Sequence, residues 1–203
     1  MRLLIAIPCG DTVRWEFADS LTKLCMQLNE DYIDFDVIFH EGSLVYAARE
    51  ELAIAAIDNH FTHVLWLDSD MQFTRDLFNI LKSVGQPFVT GVYRSRRSPY
   101  APALFSSIKS AQRVIDIPSE PFVVEACGFG CVLMDVEVLK AVRRKFGTCF
   151  TPTYESGEDI AMCQRWNEIG EIWCSPDAGC NHITYVPLRP SDPAKLVEYK
   201  ELR

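Results

Sequence analysis

No stretch of this 203-residue chain approaches the roughly 20 apolar residues that a helix needs to span a bilayer. The apolar run near the start, Leu3 to Ile7, lacks the longer core and small-residue cleavage site of a signal peptide. A soluble, cytoplasmic protein is therefore the expectation, with peripheral membrane contact left open. A surplus of basic residues is missing as well: 20 Lys and Arg face 28 Asp and Glu, a formal net charge of −8. That argues against wrapping DNA or RNA, whose binders carry a basic footprint that displaces phosphate counterions. It still permits one small phosphorylated ligand held by a few local cations and a metal. None of the eight cysteines forms a Cys-x-x-Cys pair, and most sit in apolar runs where a thiol behaves as a small hydrophobe. A zinc set of Cys174, Cys180 and His182 matches no common zinc module in its spacing. Also lacking are a Gly-rich loop followed by Lys, as a triphosphate cradle requires, internal repeats and low-complexity segments.

What is present is a core. Hydrophobic residues make up 48 % of the chain and aromatics 11 %, which excludes disorder as the main state. Short β-like runs alternate with amphipathic helices, the pattern of an α/β domain. Residues 3–7, 35–39, 63–67 and 88–92 read as strands. Phe17, Leu21, Leu24 and Leu28 recur at helical spacing. Ser43 is a candidate cap for a helix to about residue 59, and Thr74 for one ending at Gly85. Residues 93–121, rich in Arg, Ser and Pro, read as a mobile loop with a short strand near 103–105. Strands at 122–126 and 131–134 flank Gly128-Phe129-Gly130, and helices follow from Asp135 to about Phe146 and from Glu158 to about Ile169. A short strand at 171–174 comes next. The reading is one domain over 1–186 and a polar tail over 187–203. The early order of strand, helix, strand, helix, strand favours a parallel nucleotide-binding-like sheet, where ligands sit beyond the carboxyl ends of strands.

The apolar strand Val64-Leu65-Trp66-Leu67 runs straight into Asp68-Ser69-Asp70. On extended backbone, residues i and i+2 point the same way, so both carboxylates can face one site. Paired carboxylates repel a diphosphate unless a divalent cation lies between them, and Mn²⁺ or Mg²⁺ takes oxygen ligands while bridging to phosphates. The competing reading is a polar strand-to-helix turn.

Glu158 and Asp159 stand at the head of a helix. Ser156 with Asp159 suits a capping-box variant, and acids there complement the helix dipole. Alternatively one of the two carboxylates is a general base toward an acceptor hydroxyl; the pair is the candidate rather than either residue alone. His182 supplies a neutral imidazole, which with two upstream acids suits Mn²⁺ better than Ca²⁺. Arg49, mid-helix, is either one half of a solvated i, i+4 salt bridge or a nucleotide contact. In the basic run Tyr93-Arg94-Ser95-Arg96-Arg97, Arg94 is the candidate for a lid that neutralises a leaving diphosphate; the alternative is a solvated loop.

Four segments taken together resemble the GT-A glycosyltransferases, nearest to the family-two-like group with compact bacterial and phage members. They are Leu4 to Pro8, Val64 to Met71, Gly128 to Met134, and Glu158-Asp159 with Gln164-Arg165-Trp166 and Gly170; His182-Ile183 extends the match. The resemblance implies a GT-A fold, a Rossmann-like mixed sheet flanked by helices. It implies that Pro8, Cys9 and Gly10 border the nucleoside, and that Asp68-Ser69-Asp70 contacts the donor. Asp68 lies near ribose or metal, Asp70 binds the metal and His182 completes the metal site. Asp159 is the implied base if the reaction inverts, and Gly128 to Gly130 let the backbone approach the sugar or acceptor. The implied activity is transfer of a sugar from a nucleotide-diphosphate donor to the hydroxyl of an unknown acceptor, with Mn²⁺ or Mg²⁺. The chain departs from the pattern at Cys9-Gly10, where Thr with a nearby Asn is usual. It also lacks the longer C-terminal part of many relatives, so acceptor binding is expected to be minimal or shared with a partner. A catalytically idle nucleotide-sugar-binding or assembly module is the alternative, and a sugar nucleotidyltransferase a more distant one.

Overall fold

A computed structural model describes residues 1–96 and 99–184. In chain order the elements are β1 (Arg2–Cys9), α1 (Trp15–Glu30), β2 (Asp34–Glu41), α2 (Val45–Asp58), β3 (His63–Leu67), β4 (Met71–Gln72), α3 (Leu77–Ser83), β5 (Phe88–Val92) and β6 (Leu104–Ser107). There follow β7 (Gln112–Arg113), β8 (Phe122–Val124), β9 (Ala126–Cys127), β10 (Cys131–Asp135), α4 (Val136–Phe146), α5 (Glu158–Asn167), β11 (Ile172–Gly179) and β12 (Asn181–His182). The tail read over 187–203 lies outside the described residues.

Seven strands form the central sheet in the order β2-β1-β3-β10-β5-β11-β8. Five run one way; β10, inserted between β3 and β5, and the edge strand β8 run the other way. The fold is therefore mixed α/β. Both faces of the sheet are buried, which explains why β1 and β3 read as unbroken apolar runs. Leu4, Ala6, Val64 and Trp66 face the layer that contains Leu52, Leu139 and Met162 from α2, α4 and α5. Leu3, Ile5, Ile7, Leu65 and Leu67 face Phe17 and Leu24 of α1 and Leu77 and Leu81 of α3. Each fully buried Leu or Ile contributes about 1.5–3 kcal/mol. Trp66 meets Phe150 and Phe129 edge-on, with centroids 5.1 and 6.2 Å away, so Trp66→Ala would cost about 3–5 kcal/mol.

Several local expectations change. The short strand expected near 103–105 is β6, and it does not stand alone: it pairs with β7 on one side and β9 on the other, a small antiparallel sheet. The expected strand 122–126 divides at Glu125, with β8 joining the central sheet and β9 the small one. The strand at 171–174 continues to Gly179, with an irregularity after Cys174 around Pro176, where a proline cannot donate to a ladder. Three of four expected caps fail by position, and the fourth caps without its side chain. Neither Ser43 nor Thr74 is a cap residue, and Leu44 and Asp76 stand there instead. Asp135 holds the cap position, but its carboxylate pairs with His63 at 2.9 Å. Gly157 rather than Ser156 precedes α5. Gly147 does end α4, with φ of 79°. Gly170 serves differently, since a Cβ there would collide with the Trp166 ring.

Glu50 anchors α2. Its Oε2 accepts from the backbone N–H groups of Cys149 and Phe150 at 2.9 and 2.7 Å, and Arg143 pairs with its other oxygen. This fixes α2 against the loop that leads into α5.

Candidate functional site

The carboxyl ends of β1 and β3, the start of α2 and the head of α5 surround one cavity of about 960 Å³. Pro8, Cys9, Gly10, Arg49, Asp68, Ser69, Asp70, Glu158, Asp159 and His182 all line it. Their chain positions are far apart; the fold brings them together.

At one flank the organiser is Arg49. It is 3 % exposed, its Nη1 donates to Glu158 Oε1 and its Nη2 to Asp68 Oδ1, both at 2.7 Å. Its guanidinium lies over the Phe129 ring, 5.4 Å from the centroid. The solvated i, i+4 salt bridge is therefore excluded: Arg49 bridges β3 and α5 inside the protein. Burial opposes its charge, but Asp68, Glu158 and Asp159 outweigh that and raise its pKa. Its Nε finds no partner among the described residues.

The two carboxylates of the Asp-x-Asp motif do not share one direction. After β3 the backbone turns, with Met71 N–H donating to Asp68 O at 3.1 Å, so the i, i+2 rule for extended chain does not apply. Asp68 goes to Arg49. Asp70 goes to the opposite flank, where its Oδ2 accepts from Arg96 Nη1 at 2.7 Å and lies 3.4 Å from His182 Nε2. Pairing of β12 with β4 sets His182 opposite Met71, and Ile183 N–H donates to Asp70 O at 2.8 Å. Tyr93 meets His182 edge-on at 5.5 Å.

His182 Nδ1 lies 2.9 Å from the backbone oxygen of Arg94, so it carries the proton that makes that bond. In the neutral ring, Nε2 then turns a lone pair toward the Asp70 carboxylate. Two acceptors facing each other require a positive species between them, either a proton on His182 or a cation. Burial lowers the His182 pKa, but the hydrogen bonds to Asp70 and to Arg94 O reverse this and raise it. Burial likewise pushes the Asp70 pKa up, and His182 and Arg96 together bring it below the ordinary value.

Asp70 and His182 thus fit a metal as an oxygen–nitrogen donor pair with an outer partner fixing the ring. Asp68, held by Arg49, does not join them, and no group of three or more His, Cys, Asp or Glu side chains is arranged to hold a metal among the described residues. The zinc set fails for the same reason: Cys174 is buried in β11 and Cys180 sits thiol to thiol with Cys131.

At the head of α5, Asp159 forms no capping box with Ser156. Its Oδ1 accepts from the N–H of Ile160 at 2.8 Å. Burial raises its pKa; Glu158 and Asp68 add to this, while Arg49 and the Ile160 N–H oppose it. The two acids therefore differ: Glu158 is bound to the Arg49 guanidinium, and Asp159, with no cation bonded to it among the described residues, is raised above its ordinary value.

Arg94 does not line the carboxylate cavity; its guanidinium donates to Tyr100 O at 3.1 Å. Among the described residues, the cation that this basic run delivers to the cavity is Arg96. The glycines of Gly128-Phe129-Gly130 admit a side chain of the protein itself. The Tyr93 hydroxyl accepts from Gly130 N–H at 3.0 Å and fills the space where a Cβ on Gly128 would lie. Arg96 and Tyr93 stood in the quoted run, but nothing in its composition ranked them above Arg94. Phe105 and Arg113, which also line the cavity, carried no signal because β6 and β7 are too short to show a period.

No family model matches the chain, and no curated protein matches it. Among solved structures, A197 from STIV is 17 % identical over 95 % of this chain and 100 % of its own, with a TM-score of 0.63. GalNAc-T7 with UDP, GalNAc and Mn²⁺, a GT-A glycosyltransferase, is 12 % identical over 91 % of this chain, with a TM-score of 0.50. This chain spans 44 % of the length of that protein. Both likenesses concern the fold alone, and the second supports a fold compatible with GT-A.

Proposed function

We propose that the domain, taken as residues 1–186, is a metal-dependent glycosyltransferase moving a sugar from a nucleotide diphosphate to an acceptor hydroxyl. The observation that carries this reading is the division of labour within one cavity. Asp70 and His182, an oxygen and a nitrogen acceptor 3.4 Å apart, lie at one flank, and Asp159, a half-buried carboxylate of raised pKa, at the other.

In this reading Pro8, Cys9 and Gly10 border the nucleoside, with Ser69 and the uncapped start of α2 beside it. Asp70 and His182 hold Mn²⁺ or Mg²⁺, which when bound offsets charge on the departing diphosphate. Arg96, next to Asp70, adds a cation on the same side and takes the role expected of Arg94. Asp68 and Glu158 keep Arg49 in place, so the ribose role of Asp68 is limited to its remaining oxygen. In an inverting displacement the acceptor oxygen bonds to the anomeric carbon as the bond to the diphosphate breaks. The hydroxyl proton passes to Asp159, whose raised pKa suits a base.

Calorimetric titration with UDP, GDP and their common sugars, with and without Mn²⁺, tests the reading on wild type and Asp70→Ala. The expected result is metal-dependent binding of one nucleotide, lost in the variant. Absence of binding by folded wild-type protein to every nucleotide would overturn it. Binding without turnover on any acceptor would leave a nucleotide-sugar-binding module.

A further inference from the structure

Among the described residues three arginines line the cavity, and two are already engaged with carboxylates: Arg49 with Asp68 and Glu158, Arg96 with Asp70. Arg113 is different. Among the described residues it has no carboxylate partner. Its guanidinium lies over the Phe105 ring, 4.5 Å from the centroid, and Nη1 donates to Pro102 O at 2.7 Å. Those two contacts fix the plane of the group and use one of its several N–H donors. A guanidinium so fixed loses little entropy on binding and matches a carboxylate or phosphate through paired hydrogen bonds.

Its place in the fold says which part of a substrate it meets. Arg113 on β7 is paired with Phe105 on β6, and Phe105 is paired with Ala126 on β9. Helix α5, which begins with Glu158 and Asp159, packs on β9. Phe105 and Arg113 therefore line the cavity from the small sheet, sharing it with Asp159 and Ile160 at the head of α5, while Arg96 and His182 stand beside Asp70. An acceptor whose hydroxyl reaches Asp159 continues over an aromatic ring toward a cation.

Resting on the transferase reading, we propose that the acceptor is a sugar-like molecule bearing an anionic group, phosphate or carboxylate, which Arg113 binds while Phe105 stacks on the ring. Arg113 is then a specificity residue. It selects acceptors by charge and takes no part in the proton transfer.

The test uses glucose 6-phosphate, glucuronic acid and uncharged glucose as probes, titrated by calorimetry into wild type, Arg113→Gln and Arg113→Lys. The expected result is saturable binding of at least one anionic sugar, tighter than glucose. It should weaken about 10- to 100-fold in Arg113→Gln, as for loss of a charge-assisted contact. Arg113→Lys, which keeps the charge but not the fork, should bind with an intermediate loss; it also serves if the Gln variant does not fold. Binding of glucose 6-phosphate alone names a phosphate, and of glucuronic acid alone a carboxylate. Failure of both anions to bind, binding no tighter than that of glucose, or affinity unchanged in the Arg113 variants would overturn the proposal and leave Arg113 as a support for Phe105 and Pro102. The nucleotide titration separates this from the broader reading. Arg113-dependent anion binding without nucleotide binding fells the transferase and keeps the site. Nucleotide binding with Arg113-independent anion binding does the reverse.

Discussion

The two flanks of the cavity solve opposite problems. Around Arg49 the cation is buried and matched: a 3 %-exposed guanidinium sits between two partly buried carboxylates and joins α2, β3 and α5 above the ring of Phe129. Around Asp70 the partners come from a β-bridge and a loop, and the Arg96 side chain is 55 % exposed. The first arrangement is costly to disturb and has little freedom to change. The second has one cation within reach of solvent and a histidine lone pair aimed at a carboxylate, so its partners can be exchanged. A site that must bind and release a charged group needs both, a fixed frame and an exchangeable side.

If that contrast is right, Arg49→Met should have the largest effect. Asp68 and Glu158, both partly exposed, would lose their charge-assisted hydrogen bonds to a buried guanidinium, a loss of about 1.5–3 kcal/mol. Denaturant unfolding measures this; a loss under about 1 kcal/mol, the range of exposed pairs, would erase the difference between the flanks. Asp159→Asn should separate activity from stability. Loss of a general base is expected to slow transfer by about 10²–10⁴-fold while the fold is kept. The sign of the stability change follows from linkage. The pKa of Asp159 is raised by burial above its ordinary 3.8, so its folded-state contribution is present below that ordinary value and falls away as pH rises through the folded pKa. At neutral pH the Asn variant should therefore be as stable as wild type or more so, with the difference vanishing in acid. The same shift places the acidic limb of the wild-type rate profile above the ordinary aspartate value; a limb at or below 3.8 would remove Asp159 from the role.

The contrast also marks how far the sequence could be read. Strands β1 and β3 were legible because burial on both faces makes residues 3–7 and 64–67 apolar without a break, and Asp68 and Asp70 were legible because they end such a run. Their divergence was not, since a turn at residues 68–71 is a local backbone choice and the partners that divide them, Arg49 and Arg96, are 19 and 26 residues from their acids. The insertion of β10 was equally hidden: Cys131 to Met134 reads as a strand, but its antiparallel place between β3 and β5 is decided by pairing across the sheet. Of the small sheet only β6 was legible, as the short strand near 103–105; β7, with two residues, is too short for a period. The head of α5 could be read only as a pair of acids; that Arg49 takes Glu158 and leaves Asp159 depends on contact between distant segments.

The smallest effect is the most informative about the exchangeable flank. Arg96→Gln removes an exposed partner of Asp70, so stability should change by no more than about 1 kcal/mol. Its consequences for binding should have opposite signs. Without nucleotide, Arg96 and a divalent cation compete for the same Asp70 oxygen, and removing the arginine should tighten Mn²⁺ binding a few-fold, the scale of about 1 kcal/mol. With a nucleoside diphosphate present, the lost cation no longer faces the phosphates and nucleotide affinity should fall. Electron paramagnetic resonance of free Mn²⁺ reads the first, and calorimetry the second. A fall in both would mean that Arg96 holds Asp70 in position rather than occupying its place, and the Asp70 flank would then be a fixed frame like the one around Arg49.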